Sequence, residues 1–521
     1  MLKKALALTL ALILCLGVLA GCGGNQDDPG SSTPSGSGEG KSLWFDEPLK
    51  FEIARATTGT QPTWTYIIDL LKETCNVEIT FTEINSFGQV YTQMLNDQKL
   101  PDVTYLNSIA YGNEYGRKGA YVDISRYLDK MPNLKATLEK YPVYKDLWTN
   151  PDDSMFHIPI FTVGGDTKPY TWFYREDVFA AENLTWPSDR AGLEALLRQL
   201  KAKYPDSTPL GVRNLHGVMN QLVYMGTQFN AKLAYPGVFG TYVSYDSETG
   251  GFYESGTADE MKDMITWIKQ MMDENLINKT AFQSSFGRAQ WAGMFANNQA
   301  FIGFDKLDQM AYVDGEGKKG DANFSLVAAE PIAMNDSAVK AYMNMPSNYS
   351  FVVSKKAKRV DDILKFIDWL YSEEGIMLTN WGKEGVDYTM VDGKPQWTAK
   401  ALEEANPQTS RGLAYAGLHT ILDYNAYVGF QTDNIKKSYE TVTPWTTMDD
   451  YYVMVGDIFL TSEKDFFTSY GAAYTTYING ELGKFLTGNR PLSEWDAFKE
   501  TASTTYKGAE LAQKTTAAYK R

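Results

Sequence analysis

Cysteine is scarce in this 521-residue chain, which has only Cys15, Cys22 and Cys75. Cys15 lies in a predicted export signal and Cys22 is predicted to be lipidated, so Cys75 has no partner for an intrachain disulfide in the mature chain. Stability must therefore come from core packing. Because Cys75 lies at the end of an apolar helical pattern, we expect a small core residue rather than a nucleophile.

Positive charge, histidine and long apolar runs are also in short supply. The formal net charge is −15, which argues against binding nucleic acid or an anionic membrane surface. The three histidines, His157, His216 and His419, are not spaced as metal ligands. No phosphate-binding loop or nucleophile motif is evident, and no stretch beyond the N-terminal segment is apolar enough to span a membrane. We expect no cofactor and no metal.

The N-terminal segment contains two lysines, a short apolar run and a lipidation box. The run, residues 5–18, is shorter than the ~20 residues of a membrane-spanning helix and has the form of a secretory signal. Residues 1–21 are therefore predicted to be a signal peptide, with Cys22 as the first mature residue. Residues 22–41, rich in Gly, Ser and Pro, predict a flexible tether. A diacylglycerol on Cys22 would hold the protein at the extracytoplasmic face of the membrane.

Aromatic residues are in excess, with 12 Trp, 33 Tyr and 25 Phe. Most should be core residues. Trp and Tyr also suit a surface that binds sugars, because the C–H faces of a sugar ring lie flat against a π-system.

The first part of the chain alternates between strand and helix periods. In chain order, the pattern predicts a strand at 49–54, a helix at 66–71, a strand at 77–81, a helix at 87–97 and a strand at 103–106. This order predicts a parallel sheet with helices on both faces. Ligands bind beyond the carboxyl ends of such strands, so residues 55–64 and Asn107 are candidate ligand positions.

The remainder continues the mixed pattern and then becomes helical. A Gly164-Gly165 break predicts the start of a second lobe, and turn residues 246–251 predict a hairpin. Further strands are expected at 171–174, 300–304, 324–328 and 350–354. From residue 375 onward we expect mostly helix, with the last helix at 495–519.

Several stretches form an ordered set of motifs. They are Leu-Pro-Asp-Val at 100–103, Tyr-Arg-Glu-Asp-Val at 174–178, Tyr-Pro-Asp-Ser-Thr-Pro-Leu-Gly at 204–211, the block 366–388 and the ending 485–495. With the lipidation box, this set resembles the extracellular solute-binding proteins of bacterial ABC importers. The likeness is greatest to large lipoprotein-type members of the family that includes maltodextrin-binding proteins, and it spans nearly the whole mature chain.

The resemblance implies an α/β, two-lobed, periplasmic-binding-protein-like fold. It implies parallel-type sheets flanked by helices, several hinge crossings and a helical C-terminal region. The implied N-lobe comprises 42–165 and 338–375, and the C-lobe comprises 166–337 and 376–521. The ligand would lie between the lobes, and closure would present a surface to the permease. Relatives that bind alginate carry an acid-rich calcium loop, but the matching stretch here contains only Asp206, so no calcium site is expected.

Strand ends and crossovers supply the candidate ligand-binding residues. They are Thr57, Trp64, Asn107, Trp172, Asp305, Trp381, Glu384, Tyr388 and Trp445. The indoles would stack on sugar faces, and the polar side chains would hydrogen-bond hydroxyls. Glu384 either contacts the ligand or braces the hinge. Arg55 could meet the carboxylate of an acidic sugar.

We therefore predict a membrane-anchored solute-binding protein, monomeric, that delivers an oligosaccharide or sugar acid to an ABC permease. A cell-surface glycoside hydrolase or lyase is one alternative, and a receptor for peptides or other solutes, or an adhesin, is another. A hydrolase needs two carboxylates facing one bond. The neighbouring acids at 152–153, 373–374, 403–404 and 449–450 are more typical of helix caps and solvated surface.

Overall fold

The computed structural model describes residues 44–56, 64–161, 169–213, 225–231, 242–246, 248–282, 286–336, 340–343, 349–404, 406–414, 418–447, 459 and 461–520. The predicted signal peptide, Cys22, the tether, Thr57 and the Gly164-Gly165 break lie outside these residues. Within them, no helix combines the length and apolar character needed to cross a bilayer.

The strands of the described residues are mostly short. They are β1 (Leu49–Ala56), β2 (Val77–Ile84), β3 (Val103–Leu106), β4 (Ile158–Pro159), β5 (Tyr170–Arg175), β6 (Leu210–Gly211), β7 (Ser244–Asp246), β8 (Gly251–Tyr253), β9 (Ile302–Lys306), β10 (Leu326–Ala328), β11 (Tyr342–Met343), β12 (Ser350–Val353), β13 (Tyr388–Val391), β14 (Lys394–Trp397) and β15 (Thr446–Thr447).

Helices connect and cover these strands. They are α1 (Thr65–Cys75), α2 (Phe87–Asn96), α3 (Ile109–Arg117), α4 (Pro132–Lys140), α5 (Pro142–Trp148), α6 (Glu176–Glu182), α7 (Arg190–Lys203), α8 (Asp259–Asp273), α9 (Arg288–Ala296), α10 (Leu307–Lys318), α11 (Val360–Trp369), α12 (Glu373–Trp381), α13 (Pro407–Ser410), α14 (Tyr424–Gly429), α15 (Asp433–Val442), α16 (Thr461–Thr487), α17 (Trp495–Thr504) and α18 (Gly508–Tyr519). Short 3₁₀ helices lie at Ile124–Arg126, Leu128–Lys130, Met225–Phe229, Ser255–Thr257, Lys279–Phe282, Ala401–Glu403, Thr443–Trp445 and Leu492–Glu494.

The first sheet has the strand order β2-β1-β3-β12-β4. Strands β1, β2 and β3 run parallel, and β12 is antiparallel to both β3 and β4. The predicted β-α-β-α-β unit is therefore confirmed. Local signals set its boundaries, because α1 ends at Asn76 in the left-handed region (φ 58°) and the Ser108 side chain accepts a hydrogen bond from the third residue of α3.

The second sheet has the order β10-β5-β9-β6. Its β5 strand is antiparallel to both β10 and β9, and only the short β6 pairs in parallel. The sheets are thus mixed rather than uniformly parallel, because both chain segments that pair with β5 return in the opposite direction. The predicted hairpin is present as β7 and β8.

Two large hydrophobic cores organise the described residues. The first contains the apolar face of the first sheet with α1, α4 and α11, and the second surrounds the second sheet with α7 to α10 and α15 to α18. Buried residues from Leu378 to Ala426 join the first core, and Tyr427 joins the second. The predicted division placed 376–426 in the C-lobe, so the packing differs from it there. The lobe boundaries stay a prediction.

The C-terminal region is mostly helical, with two departures from the prediction. A hairpin of β13 and β14 interrupts it, because Asp392 and Gly393 both adopt positive φ at the turn. The helix predicted at 495–519 is two helices, α17 and α18, separated where Lys507 enters the left-handed region (φ 64°).

Candidate functional site

One face of the first sheet changes character at the carboxyl ends of its parallel strands. The register pairs Arg55 of β1 with Glu83 of β2, and Ile53 with Phe81 and Val103. Since side chains alternate between faces along a strand, Arg55, Phe81, Glu83 and Tyr105 follow the buried residues of the first core on the same face. Apolar residues thus give way to aromatic and charged ones at the edge where ligands bind in such sheets.

These side chains form what we call the aromatic–arginine cluster, consisting of Arg55, Trp64, Phe81, Tyr105 and Tyr349. Trp64 stacks on Phe81, with ring centroids 4.0 Å apart and an interplanar angle of 13°. The Arg55 guanidinium lies 5.5 Å from the Trp64 centroid and 5.6 Å from that of Tyr105. Tyr105 stacks on Tyr349 at 5.4 Å. The result is a row of rings held around one cation.

The cluster combines the buried Arg55 cation with rings that are partly buried or exposed. Arg55 is 6% exposed and Tyr349 is 42% exposed, while Trp64, Phe81 and Tyr105 are partly buried. Each ring contacts a neighbouring ring, so the cluster is held in place by its own packing. A cation held by two rings keeps its side chain ordered and its charge directed at the same edge.

Glu83 adds a hydrogen-bond acceptor to this edge. Both of its carboxylate oxygens are buried and, within the described chain, neither has a hydrogen-bond partner. An unsatisfied buried acceptor is costly. Glu83 lies opposite Arg55 in the strand register, so the cluster has a buried carboxylate and a buried guanidinium on neighbouring strands.

Of the predicted site residues, the structure places Trp64 in the cluster and Asn107 next to it. Asn107 is exposed and immediately follows β3, two residues after Tyr105 in the chain. Sequence reasoning missed Phe81, Tyr105 and Glu83, because strand alternation assigns them to the core. Their position near the carboxyl ends of predicted parallel strands is the sequence feature that could have identified them.

Two predicted residues of the second sheet are buried. Trp172 is 0% exposed, packs against Phe304 at 5.0 Å and donates its indole N–H to Gln228. Asp305 is also fully buried, and Arg213 donates to its two oxygens at 2.5 and 3.1 Å. In this structure Trp172 is a core residue and Asp305 is one member of a buried ion pair.

Three more predicted residues belong to one turn and its flanks. Trp381 is buried, donates to Asp423 at 2.6 Å and packs on Trp397 at 4.9 Å. Tyr388 is buried beside it, 5.9 Å away between ring centroids. Glu384 is exposed at the tip of the turn.

A polar network fixes this turn to the start of α1. Asp387 accepts from the Tyr66 hydroxyl, from the backbone N–H of Lys383 at 2.7 Å and from Arg411. Arg411 also donates to Glu404 at 2.7 Å. The turn is thereby attached to α1 two residues after Trp64.

Trp445 lies in the second core. It is partly buried, and the Lys340 ammonium lies 5.9 Å from its ring centroid. The predicted residues thus fall into separate groups rather than one constellation, and only Trp64 and Asn107 are at the aromatic–arginine cluster.

Several of the neighbouring acids considered for catalysis have structural roles in the described residues. Asp152 accepts from the backbone and hydroxyl of Ser154, and Glu373 and Glu374 lie in the first turn of α12. Glu404 accepts from Arg411. The pair at 449–450 lies outside the described residues. In the described ranges, no group of three or more acidic, histidine or cysteine side chains is arranged to hold a metal ion.

A comparison with protein families places the chain. The model of the bacterial extracellular solute-binding protein family matches residues 56–377, more than half of its length. The chain belongs to this family. The match begins at the end of β1 and ends within α12, and so includes every member of the aromatic–arginine cluster except Arg55. Members of this family are binding proteins, so the chain is assigned to binding rather than to an enzyme class.

Two relatives match over much of the chain. The fructooligosaccharide ABC transporter substrate-binding protein FusA of Streptococcus pneumoniae serotype 4 (strain ATCC BAA-334 / TIGR4) is 23% identical over 534 residues, covering 96% of this chain and 94% of FusA. Lipoprotein LipO of Bacillus subtilis (strain 168) is 22% identical over 326 residues, covering 61% of this chain and 62% of LipO.

Solved structures share the fold. The alginate-binding protein AlgQ2 without calcium ion superposes with a TM-score of 0.70 at 19% identity, covering 93% of this chain and all of AlgQ2. FusA of S. pneumoniae in complex with kestose gives 0.66 at 18% identity, covering 90% of this chain and 99% of FusA. The predicted two-lobed α/β fold is confirmed, and with it the predicted family.

Proposed function

We propose that this family member binds an oligosaccharide at the aromatic–arginine cluster and delivers it to an ABC permease. The observation that carries the proposal is the row of mutually backed rings at the carboxyl ends of the parallel strands. Trp64 and Tyr105 present π-faces to sugar rings, while Asn107 supplies polar contacts to hydroxyls. The relatives FusA and AlgQ2 are both described as carbohydrate binders, which supports a saccharide ligand.

Two classes of saccharide are candidate ligands. Fructooligosaccharides are the first candidates because of the relationship to FusA. A sugar acid is the second candidate, because the Arg55 guanidinium could pair with a carboxylate. We propose that the other predicted residues, Trp172, Asp305, Trp381, Tyr388 and Trp445, act through the fold rather than by contact with the sugar, and that Glu384 braces its turn.

Attachment and delivery complete the proposed role. The lipidation box at Cys22 supports a lipid anchor on the outer face of the membrane, and the relative LipO is described as a lipoprotein. A single acyl chain binds membranes marginally, whereas the two chains of a diacylglycerol hold stably. The tether would let a monomer reach the permease while remaining attached.

The test is a calorimetric titration of the mature protein with kestose. Trp64→Ala removes one face of the stacked pair and should weaken binding about tenfold or more, since ring stacking contributes on the order of 1 kcal/mol or more to affinity. Tyr105→Ala should have a similar effect.

Tyr470→Ala is the matched control. Tyr470 is an exposed ring on α16 in the second core region, 39% exposed, so its removal should leave the affinity unchanged. Equal affinities for wild type, Trp64→Ala and Tyr105→Ala would exclude the cluster as the sugar site. Titration with a uronic-acid oligosaccharide tests the second ligand class, because pairing of its carboxylate with Arg55 should make it bind more tightly than kestose.

A further inference from the structure

A cavity of about 300 Å³ lies beside β10, the edge strand of the second sheet. Its lining comes from β5, β10, the loop between α6 and α7, α15 and the segment that leads into β11. None of the lining residues belongs to the aromatic–arginine cluster. The cavity therefore needs an explanation of its own.

Two stacked rings form one wall of this cavity, which we call the β10-edge cavity. Trp186 lies parallel to Tyr174, with centroids 5.5 Å apart and an interplanar angle of 14°. Phe179 backs Tyr174 at 4.2 Å, and the Trp186 indole N–H donates to the carbonyl of Glu330 at 3.0 Å. The Trp186 plane is thus held from two directions and is fixed before any ligand arrives.

The rest of the lining is polar but carries no excess of one charge. The Lys437 ammonium lies 2.9 Å from a carboxylate oxygen of Glu176, and this ion pair balances the positive charge of Lys437. Glu330 and Lys340 contribute opposite charges. The hydroxyls of Ser188 and Thr441 add groups that donate and accept. This balance disfavours an anion as the preferred ligand and suits a neutral molecule with many hydroxyls.

The geometry points to a second saccharide site, in which one neutral sugar ring stacks on Trp186 and its hydroxyls meet Glu330, Lys340 and Thr441. The volume is at the lower end of ligand pockets, so the site holds a mono- or disaccharide rather than a long chain. Lys340 precedes Tyr342, which is buried in the second core, and the chain next joins the first core at Phe351. A bound sugar would therefore contact the segment that leads from one core to the other. This inference does not depend on the ligand of the aromatic–arginine cluster.

The test uses saturation-transfer NMR on the mature protein with methyl glycosides of glucose, galactose, mannose and fructose, in the presence of saturating kestose. At least one glycoside should give a saturable signal. Thr441→Phe fills the cavity without removing a core contact, and it should weaken this binding about tenfold or more. Trp186→Ala should do the same by removing the stacking face.

Trp64→Ala is the control that separates the two sites, since it should weaken kestose binding and leave the glycoside signal intact. A glycoside signal unaffected by Thr441→Phe and Trp186→Ala, or no saturable signal from any of the four glycosides, would overturn the second site. Neither result would bear on kestose binding, which the same samples report through Trp64→Ala.

Discussion

At the residue scale, the burial of His157 makes the free energy of unfolding depend on pH. His157 is fully buried, and its neutral ring is satisfied when Nε2–H donates to the carbonyl of Ile109 at 3.0 Å and Nδ1 accepts from the Ser350 hydroxyl at 2.7 Å. Burial lowers the pKa of His157 to about 4. Protonation would place a second charged N–H where an acceptor role is required.

This pKa gives a signed prediction. The unfolded state takes up a proton near pH 6.5, whereas the folded state resists protonation until about pH 4. The contribution of neutral His157 to the free energy of unfolding is therefore fully present above pH 6.5. It is lost as the pH falls from 6.5 to about 4. The loss should be on the order of 3 kcal/mol.

Urea unfolding of wild type and His157→Gln between about pH 7 and pH 4 measures the stability that is lost when His157 becomes protonated. Carboxylates titrate equally in both proteins, so the difference between the two curves isolates His157. We expect the wild type to lose more stability than the variant on acidification. Parallel curves would contradict the account.

Single site residues could be predicted from the sequence only where their position relative to a strand end indicated the ligand-binding edge of a sheet. Trp64 was identified because it follows a strand end, and it lies in the aromatic–arginine cluster. Trp172 and Trp381 look the same in the sequence but are buried, because their indole N–H groups have acceptors in Gln228 and Asp423. Those partners are distant in sequence, and so is Arg213, which pairs with Asp305. No local pattern reveals them.

At the element scale, the turn between α12 and β13 depends on a glycine. Gly382 has φ 85° and ψ −137°, a region that side chains disfavour. A Cβ there would lie 2.2 Å from Oδ2 of Asp387. That oxygen accepts from Tyr66 and from the Lys383 backbone, so it has little freedom to move.

Gly382→Ala should therefore destabilise the protein by about 2–4 kcal/mol, from backbone strain and displacement of Asp387. Gly385→Ala is a matched control in the same turn. It also has positive φ, 76°, but a Cβ there meets no atom within 4 Å, so it should cost only about 1 kcal/mol. Urea midpoints compare the two variants, and equal losses would show that the Asp387 network does not hold the turn.

Elements with strong periodicity could be predicted well from the sequence. Strand β3 has the predicted bounds, and α1, β2 and α2 lie where apolar spacing placed them. The β13–β14 hairpin was missed because its outward residues include apolar Met390 and Val391, which are 47% and 41% exposed. That pattern lacks the alternation that identifies a strand with one buried face.

At the scale of the whole molecule, the chain passes between two cores more than once. It leaves the first core after Phe161, returns before Phe351 and leaves it again between Ala426 and Tyr427. The predicted lobe division also has three passages and stays a prediction, with its last passage at 375–376. Long-range packing of Trp381, Tyr388 and Trp397 with Leu413 keeps 378–426 in the first core, and such packing has no local sequence signature.

The central claim is that the aromatic–arginine cluster is where this solute-binding protein holds a sugar. A crystal structure of the mature protein with kestose tests it most directly. We expect a sugar ring within about 4 Å of the Trp64 or Tyr105 ring. Kestose bound elsewhere with no contact to either ring, or crystals grown at saturating kestose with no sugar at the cluster, would contradict the claim.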